Sequence, residues 1–172
     1  MNNIKEKKSA FTLIELIIVI AIIAILAAAI FVAIDPARRL HEARNARRSS
    51  DVATILEAVK KHQVDNGGDL YASISALGDN LPHQIGTNGA SGCGLTACND
   101  GVTLEGDCLD LSALPANYMA TVPDDPQAVA PGSLTRYYLT VGTLNEITIG
   151  SCDEEAEGAG GTGAAPVIEL TR

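Results

Sequence analysis

From Leu16 to Ile34 the chain runs for 19 residues without a charge. Few folds accept such a stretch. A helix of that length spans the hydrocarbon core of a bilayer, and every backbone polar group is satisfied within it. A soluble helix this apolar on every side would need a much larger protein around it. Lys5, Lys7 and Lys8 precede the run, and Asp35 and Pro36 close it. The positive flank places the N-terminus on the cytoplasmic side and the remainder across the membrane. A cleaved secretory signal is the competing reading, with Ala27, Ala28 and Ala29 as small residues for a peptidase. The apolar run nevertheless continues past them to Ile34.

Glu15 stands at the start of this run, and between Ala10 and Ile34 it is the only charged residue. A carboxylate in hydrocarbon is unfavourable by at least about 2.5 kcal/mol and normally has a partner. Leu16 to Val19 follow it, so no basic residue lies one helical turn later. A single anchor gains nothing from such a group. An assembly of identical helices gains a counter-charge from a neighbour.

Beyond Pro36 the stretch Ala37–Val64 lacks Pro and Gly and is rich in strong helix formers. Val52, Ile55 or Leu56, Val59 and Gln63 recur at spacings of three and four, and Leu40, Ala43 and Ala46 or Arg47 extend the pattern. This predicts an amphipathic helix ended by Asn66-Gly67-Gly68. Counted from Phe11 to Asp65, one helix of 55 residues would reach roughly 80 Å. Arg38, Arg39, Arg44, Arg47 and Arg48 read as a solvated face, or as one turned to acidic surface on a neighbouring copy. They lack an interleaved aromatic platform, so direct nucleic-acid binding is not expected.

The charge is divided along the chain. Residues 1–65 carry a net of +3 and residues 66–172 a net of -12, within a total of -9. The acidic part repels nucleic acid and anionic lipid. With two Phe, four Tyr and no Trp, a large aromatic core is not available to it. Cys93, Cys98, Cys108 and Cys152 fit a small extracytoplasmic domain held by two disulfides, and three pairings are open. Free or metal-bound thiols are the alternative, but Cys93 and Cys98 have no second close pair to complete a zinc pattern.

Thr135–Val141 alternates as a strand with Tyr137, Leu139 and Val141 on one face. Glu146–Ile149 follows as the second strand of a hairpin, with Ile147 and Ile149 inward. Such a hairpin needs a packing partner, and the 37–64 helix supplies one. Residues 81–104 read as a loop. The Gly/Ala-rich acidic segment 153–172 reads as a largely disordered tail, with Val167–Leu170 as a possible edge strand.

No catalytic, cofactor-binding or metal pattern emerges. His41, His62 and His83 are dispersed, and there is no phosphate loop. Asp100, Glu105, Asp107 and Asp110, like Asp124 and Asp125, do not follow the twelve-residue calcium loop and read as solvated acidic turns.

The run Lys7-Lys8-Ser9-Ala10-Phe11-Thr12-Leu13-Ile14-Glu15-Leu16 resembles the processing and assembly motif of the type IV pilin superfamily. That resemblance implies a pilin-like α+β fold: a long N-terminal helix, half transmembrane and half amphipathic, packed on a small antiparallel sheet. It implies a leader over 1–10, a transmembrane and assembly helix over 11–34, an amphipathic helix over 35–65, a globular domain over 66–152 and the tail over 153–172. It further implies cleavage between Ala10 and Phe11 by a prepilin peptidase, N-methylation by a methyltransferase, and Glu15 as the assembly residue. The expected partners are the lipid bilayer, a membrane assembly platform and further copies of the chain in a helical filament. The expected location is the inner membrane, then a periplasmic or extracellular filament. Two features depart from the family pattern. Ala10 stands where the family usually has Gly, and the apolar run has no internal Pro. A pilus, a secretion pseudopilus and a DNA-uptake or minor pilin remain open within the family. A single-pass anchored binding module remains open outside it.

Overall fold

The structure, a computed structural model, describes residues 11–78, 80–87, 93, 95–128 and 134–172. The expected leader 1–10 lies outside the described residues. The chain divides into two compact units, Met1–Pro36 and Ala37–Arg172.

The first unit is helix α1, Leu13–Ile34, and none of its residues is buried by protein. Its 22 residues rise about 33 Å, enough for the hydrocarbon core of a bilayer. This helix is long and apolar enough to cross a membrane.

The helix counted from Phe11 to Asp65 is broken at Asp35, where the Asp35-Pro36 pair offers a cap and a restart. Asp35 has φ 47° and ψ 76°, in the left-handed region, and helix α2 starts afresh at Pro36 and ends at Asp65. Proline disfavours helical geometry in the residue before it, and Asp is among the few residues that tolerate the left-handed basin. Pro36 itself occupies the first position of α2, where a missing N–H costs nothing. At the other end Gly68 N–H bonds back to the Gln63 carbonyl at 2.8 Å, with Gly67 and Gly68 at positive φ. This is the glycine stop the sequence called for.

In the second unit α2 packs on a four-stranded antiparallel sheet, as the α+β expectation required. A short helix α3, Ala72–Ser75, precedes the sheet. The strands are β1 His83–Gln84, β2 Tyr137–Val141, β3 Ile147–Ser151 and β4 Glu169–Thr171, in spatial order β1-β2-β3-β4. In the central hairpin Leu139 faces Ile149 and Val141 faces Ile147. The core joins Val52, Ile55, Leu56, Ala58 and Val59 of α2 to Tyr137, Leu139, Ile147 and Ile149 of the sheet, with Ile74, Ile85, Leu109 and Leu111 around them. Each of the larger apolar side chains stabilises by about 1.5–3 kcal/mol on full burial.

Three expectations are corrected. Segment 153–172 is not a disordered tail. It lies along α2 through Glu155, Ala156 and Glu157 and returns as β4 on the edge of the sheet. Polar partners on α2 supply what the tail's low apolar content does not. The arginine band is not wholly a solvated face, because Arg48 is 0% exposed. Nor is Asp125 a solvated turn, because it is buried against Arg48. The buried stripe of α2 therefore begins with Asn45 and Arg48, whereas Leu40 is exposed.

Arg48 uses each of its five N–H donors. Its Nε and Nη2 reach Asp125 at 2.5 and 3.1 Å. Nη1 reaches Asn45 at 2.9 Å and Glu155 at 3.0 Å, and Nη2 also reaches Gln127 at 3.1 Å. A buried guanidinium is tolerable only when saturated in this way. Cys93 is bonded to Cys108 and Cys98 to Cys152. These bridges constrain the unfolded loops, typically by 2–4 kcal/mol each.

Asp125→Ala leaves the Arg48 charge buried with two of its five hydrogen bonds gone. It is expected to cost about 3–5 kcal/mol in urea unfolding, whereas Arg48→Met, which removes the charge itself, is expected to cost clearly less. Equal costs would assign the effect to packing alone.

Candidate functional site

The start of α1 is organised by two polar side chains. Thr12 is the N-cap, with extended backbone geometry, and its hydroxyl oxygen accepts from the Glu15 N–H at 3.3 Å. The Glu15 carboxylate reaches back and accepts from the Thr12 N–H at 2.8 Å and from the Thr12 hydroxyl at 2.7 Å. This reciprocal arrangement is a capping box. It gives Glu15 hydrogen-bond partners within its own helix and supplies no positive charge. The site can therefore hold a carboxylate in place while leaving its charge to be neutralised from outside.

Around Glu15 the side chains of Leu13, Ile14, Leu16, Ile17 and Ile20 are all exposed. Phe11, four residues before Glu15, is 87% exposed. Ala10 lies outside the described residues. Of the candidate site residues, the structure brings Glu15 to Thr12 and joins the four cysteines in two pairs.

Thr12 was missed as a participant. The signal was present in the order Thr12-Leu13-Ile14-Glu15, an N-cap hydroxyl with a carboxylate three residues later before an apolar run.

The histidines do not converge. His41 Nδ1 lies 2.7 Å from the Ala156 carbonyl oxygen, His62 makes edge contacts with Tyr71 and Tyr118, and His83 lies beside the Asp107 carbonyl. Among the described residues no group of three or more His, Cys, Asp or Glu is placed to hold a metal ion.

The chain carries the prokaryotic N-terminal methylation motif. The match covers residues 6–31, and thus takes in the basic flank, Phe11, the capping box and most of α1. The motif is typical of type IV pilins and pseudopilins, a class of structural subunits. The helix-on-sheet architecture of the second unit matches the pilin-like fold. Comparison with curated proteins and with solved structures gives no match.

Thr12→Val removes the hydroxyl from the capping box. Loss of such a cap costs about 1 kcal/mol, about a fivefold increase in opening of the first turn. Amide exchange at Glu15, measured by NMR in detergent micelles, should rise by about that factor, with exchange in the middle of α1 unchanged.

Proposed function

We propose that this chain is the precursor of a structural subunit of a type IV pilus or type II secretion pseudopilus. It is cut between Ala10 and Phe11 and polymerises through α1, with Glu15 paired to the N-terminal amine of a neighbouring subunit. The observation that carries this reading is the Glu15 carboxylate at the head of an otherwise wholly apolar, unburied helix.

The energetics favour a partner from outside. Hydrogen bonds from Thr12 offset part of the desolvation of the carboxylate and leave a net charge where water is scarce. Cleavage before Phe11 creates an amine four residues away, and methylation leaves it basic. Between axially staggered helices the incoming Phe11 amine meets Glu15 of the subunit already in place. A slip of one helix past the other separates both charges, so the pair also sets the axial register. The exposed leucines and isoleucines of α1 contribute non-directional packing around it.

In this reading residues 1–10 remain in the cytoplasm until a prepilin peptidase removes them, and an N-methyltransferase modifies Phe11. Residues 11–34 anchor the subunit in the inner membrane until an assembly platform draws it into the filament. The unit 37–172, with its two disulfides, lies outside the cytoplasm, where such bonds persist.

Two measurements test this. The intact mass of protein from cells should correspond to a chain beginning at Phe11 with one added methyl group. A chain beginning after Ala27 or Ala29 would identify secretory processing and remove Glu15 from the mature protein. With the assembly machinery present, Glu15→Ala should keep membrane level and cleavage while lowering sheared filament yield at least about tenfold, as expected for about 1.4 kcal/mol or more per contact. Glu15→Lys should be worse. Normal yield and spacing with Glu15→Ala would exclude the pairing.

A further inference from the structure

Glu154 is the one carboxylate among the described residues that is buried with both side-chain oxygens lacking a hydrogen-bond partner. It is 4% exposed. Its neighbours in the chain are all secured. Cys152 is bridged to Cys98, Asp153 pairs with Arg136, and Glu155 is held by Arg44, Arg48 and the Asn45 side chain. The backbone on either side of Glu154 is thereby held in place.

The surroundings favour the neutral acid. Burial is the largest influence and raises the Glu154 pKa to about 7; its own N–H opposes this, Asp100 raises it further, and the Ile168 N–H and Arg48 lower it. The two N–H groups do not reach hydrogen-bonding geometry, and all five Arg48 donors are engaged elsewhere. On the far side the Tyr138 hydroxyl donates to Glu169 Oε2 at 3.2 Å. Burial, with Glu169, Asp100 and Glu154 nearby, holds that phenol above its usual range, so it stays protonated, and its one proton is directed to Glu169. Asp100, Glu169 and Tyr138 thus face this region from the Cys98 loop, β4 and β2, and Arg48 faces it from α2.

We propose that Glu154 is a proton-controlled latch: neutral, it lets β4 close the edge of the sheet, and ionised, it releases β4. The release falls on β4 because the other walls are tied. The segment 152–157 is fixed by a disulfide and ion pairs, and Tyr138 is central in the sheet. Strand β4 has only three residues, all exposed, and the residue before it, Ile168, supplies an N–H beside the carboxyl. Displacing Ile168 and β4 admits water to Glu154 at the smallest structural cost. It also leaves β3 without its outer neighbour. The sign follows from linkage. The carboxyl titrates near 4.5 when unfolded and near 7 when folded, so its support for the closed form is full below the lower value and lost as pH rises through the upper one. The latch matters to the subunit only under the extracytoplasmic placement proposed above, where the domain meets the pH of its surroundings.

The latch is testable without cleavage, secretion or assembly, so failure of the filament reading leaves the result distinct. The reporters are amides bonded across the edge: Ile147 N–H to the Arg172 carbonyl at 2.7 Å, Arg172 N–H to the Ile147 carbonyl at 3.0 Å, and Ser151 N–H to the Ile168 carbonyl at 3.0 Å. Full-length protein in detergent micelles is followed by NMR hydrogen exchange from about pH 6 to about pH 8, corrected for base catalysis. Opening at these three amides should rise about tenfold between about pH 6 and about pH 8, while central β2 amides stay protected. In Glu154→Gln, and in Glu154→Leu should the amide fold poorly, the three amides should lose this dependence. A flat wild-type profile, or the same rise in a folded variant lacking the carboxyl, would overturn the latch.

Discussion

The second unit depends on a single buried cation. Arg48 sits in the buried stripe of α2, where an apolar residue would serve packing alone, and takes its partners from two segments far away in sequence. Asp125 and Gln127 come from the turn before β2, and Glu155 from the segment after β3. Taking a guanidinium out of water costs several kcal/mol. That cost is offset only when every donor is satisfied, which requires α2, the turn and the return segment to be in place together. One turn further along the helix, the Tyr137 hydroxyl donates to Asp51 at 2.8 Å, and the apolar contacts begin at Val52. The ion pairs thus set where the helix lies, and the apolar core supplies most of the energy once it lies there.

The two units dispose their apolar residues in opposite ways. In α1 the apolar residues face outward all round, and a capping box handles the sole charge. In Ala37–Arg172 the apolar residues are gathered between helix and sheet, with few aromatics to fill the space. Cross-links compensate for the small core. Cys98–Cys152 ties the loop before β1's neighbour Leu109 to the end of β3, and with Leu104 and Tyr138 it forms a second small apolar cluster on the opposite face of the sheet. Gly150 permits this arrangement, since a Cβ there would fall 2.3 Å from the Tyr138 ring.

What could be read from sequence was whatever depended on local order. The apolar run, the break signals at Pro36 and Gly67-Gly68, and the alternation of Tyr137–Val141 and Ile147–Ile149 all survive in the structure. Glu15 was legible because a lone carboxylate beside 19 uncharged residues is costly in any fold. The failures share a cause. Arg48 and Asp125 look like surface residues until their partners are known, and those partners lie 77 positions apart. The segment 153–172 has too little apolar content to order itself, and it is ordered by His41, Arg44, Asn45 and Arg48. The β1 strand is two residues long, too short for a periodic signal, and exists because β2 offers its edge.

The placement of the polar contacts on α2 has a mechanical consequence. Traction entering this unit from the Ala37 end meets, within three turns, the contacts of His41, Arg44, Asn45 and Arg48 with segment 153–157. These contacts lie side by side along the helix, so an axial pull loads them in parallel, as in shear, and does not peel them singly. The segment they grip continues into Cys152, whose covalent bond to Cys98 passes the tension into the body of the domain. The core between Val52 and Val59 lies farther down the helix and is shielded from the first part of the load. Stretching along the helix axis is thus met first by polar and covalent ties and only afterwards by the apolar core.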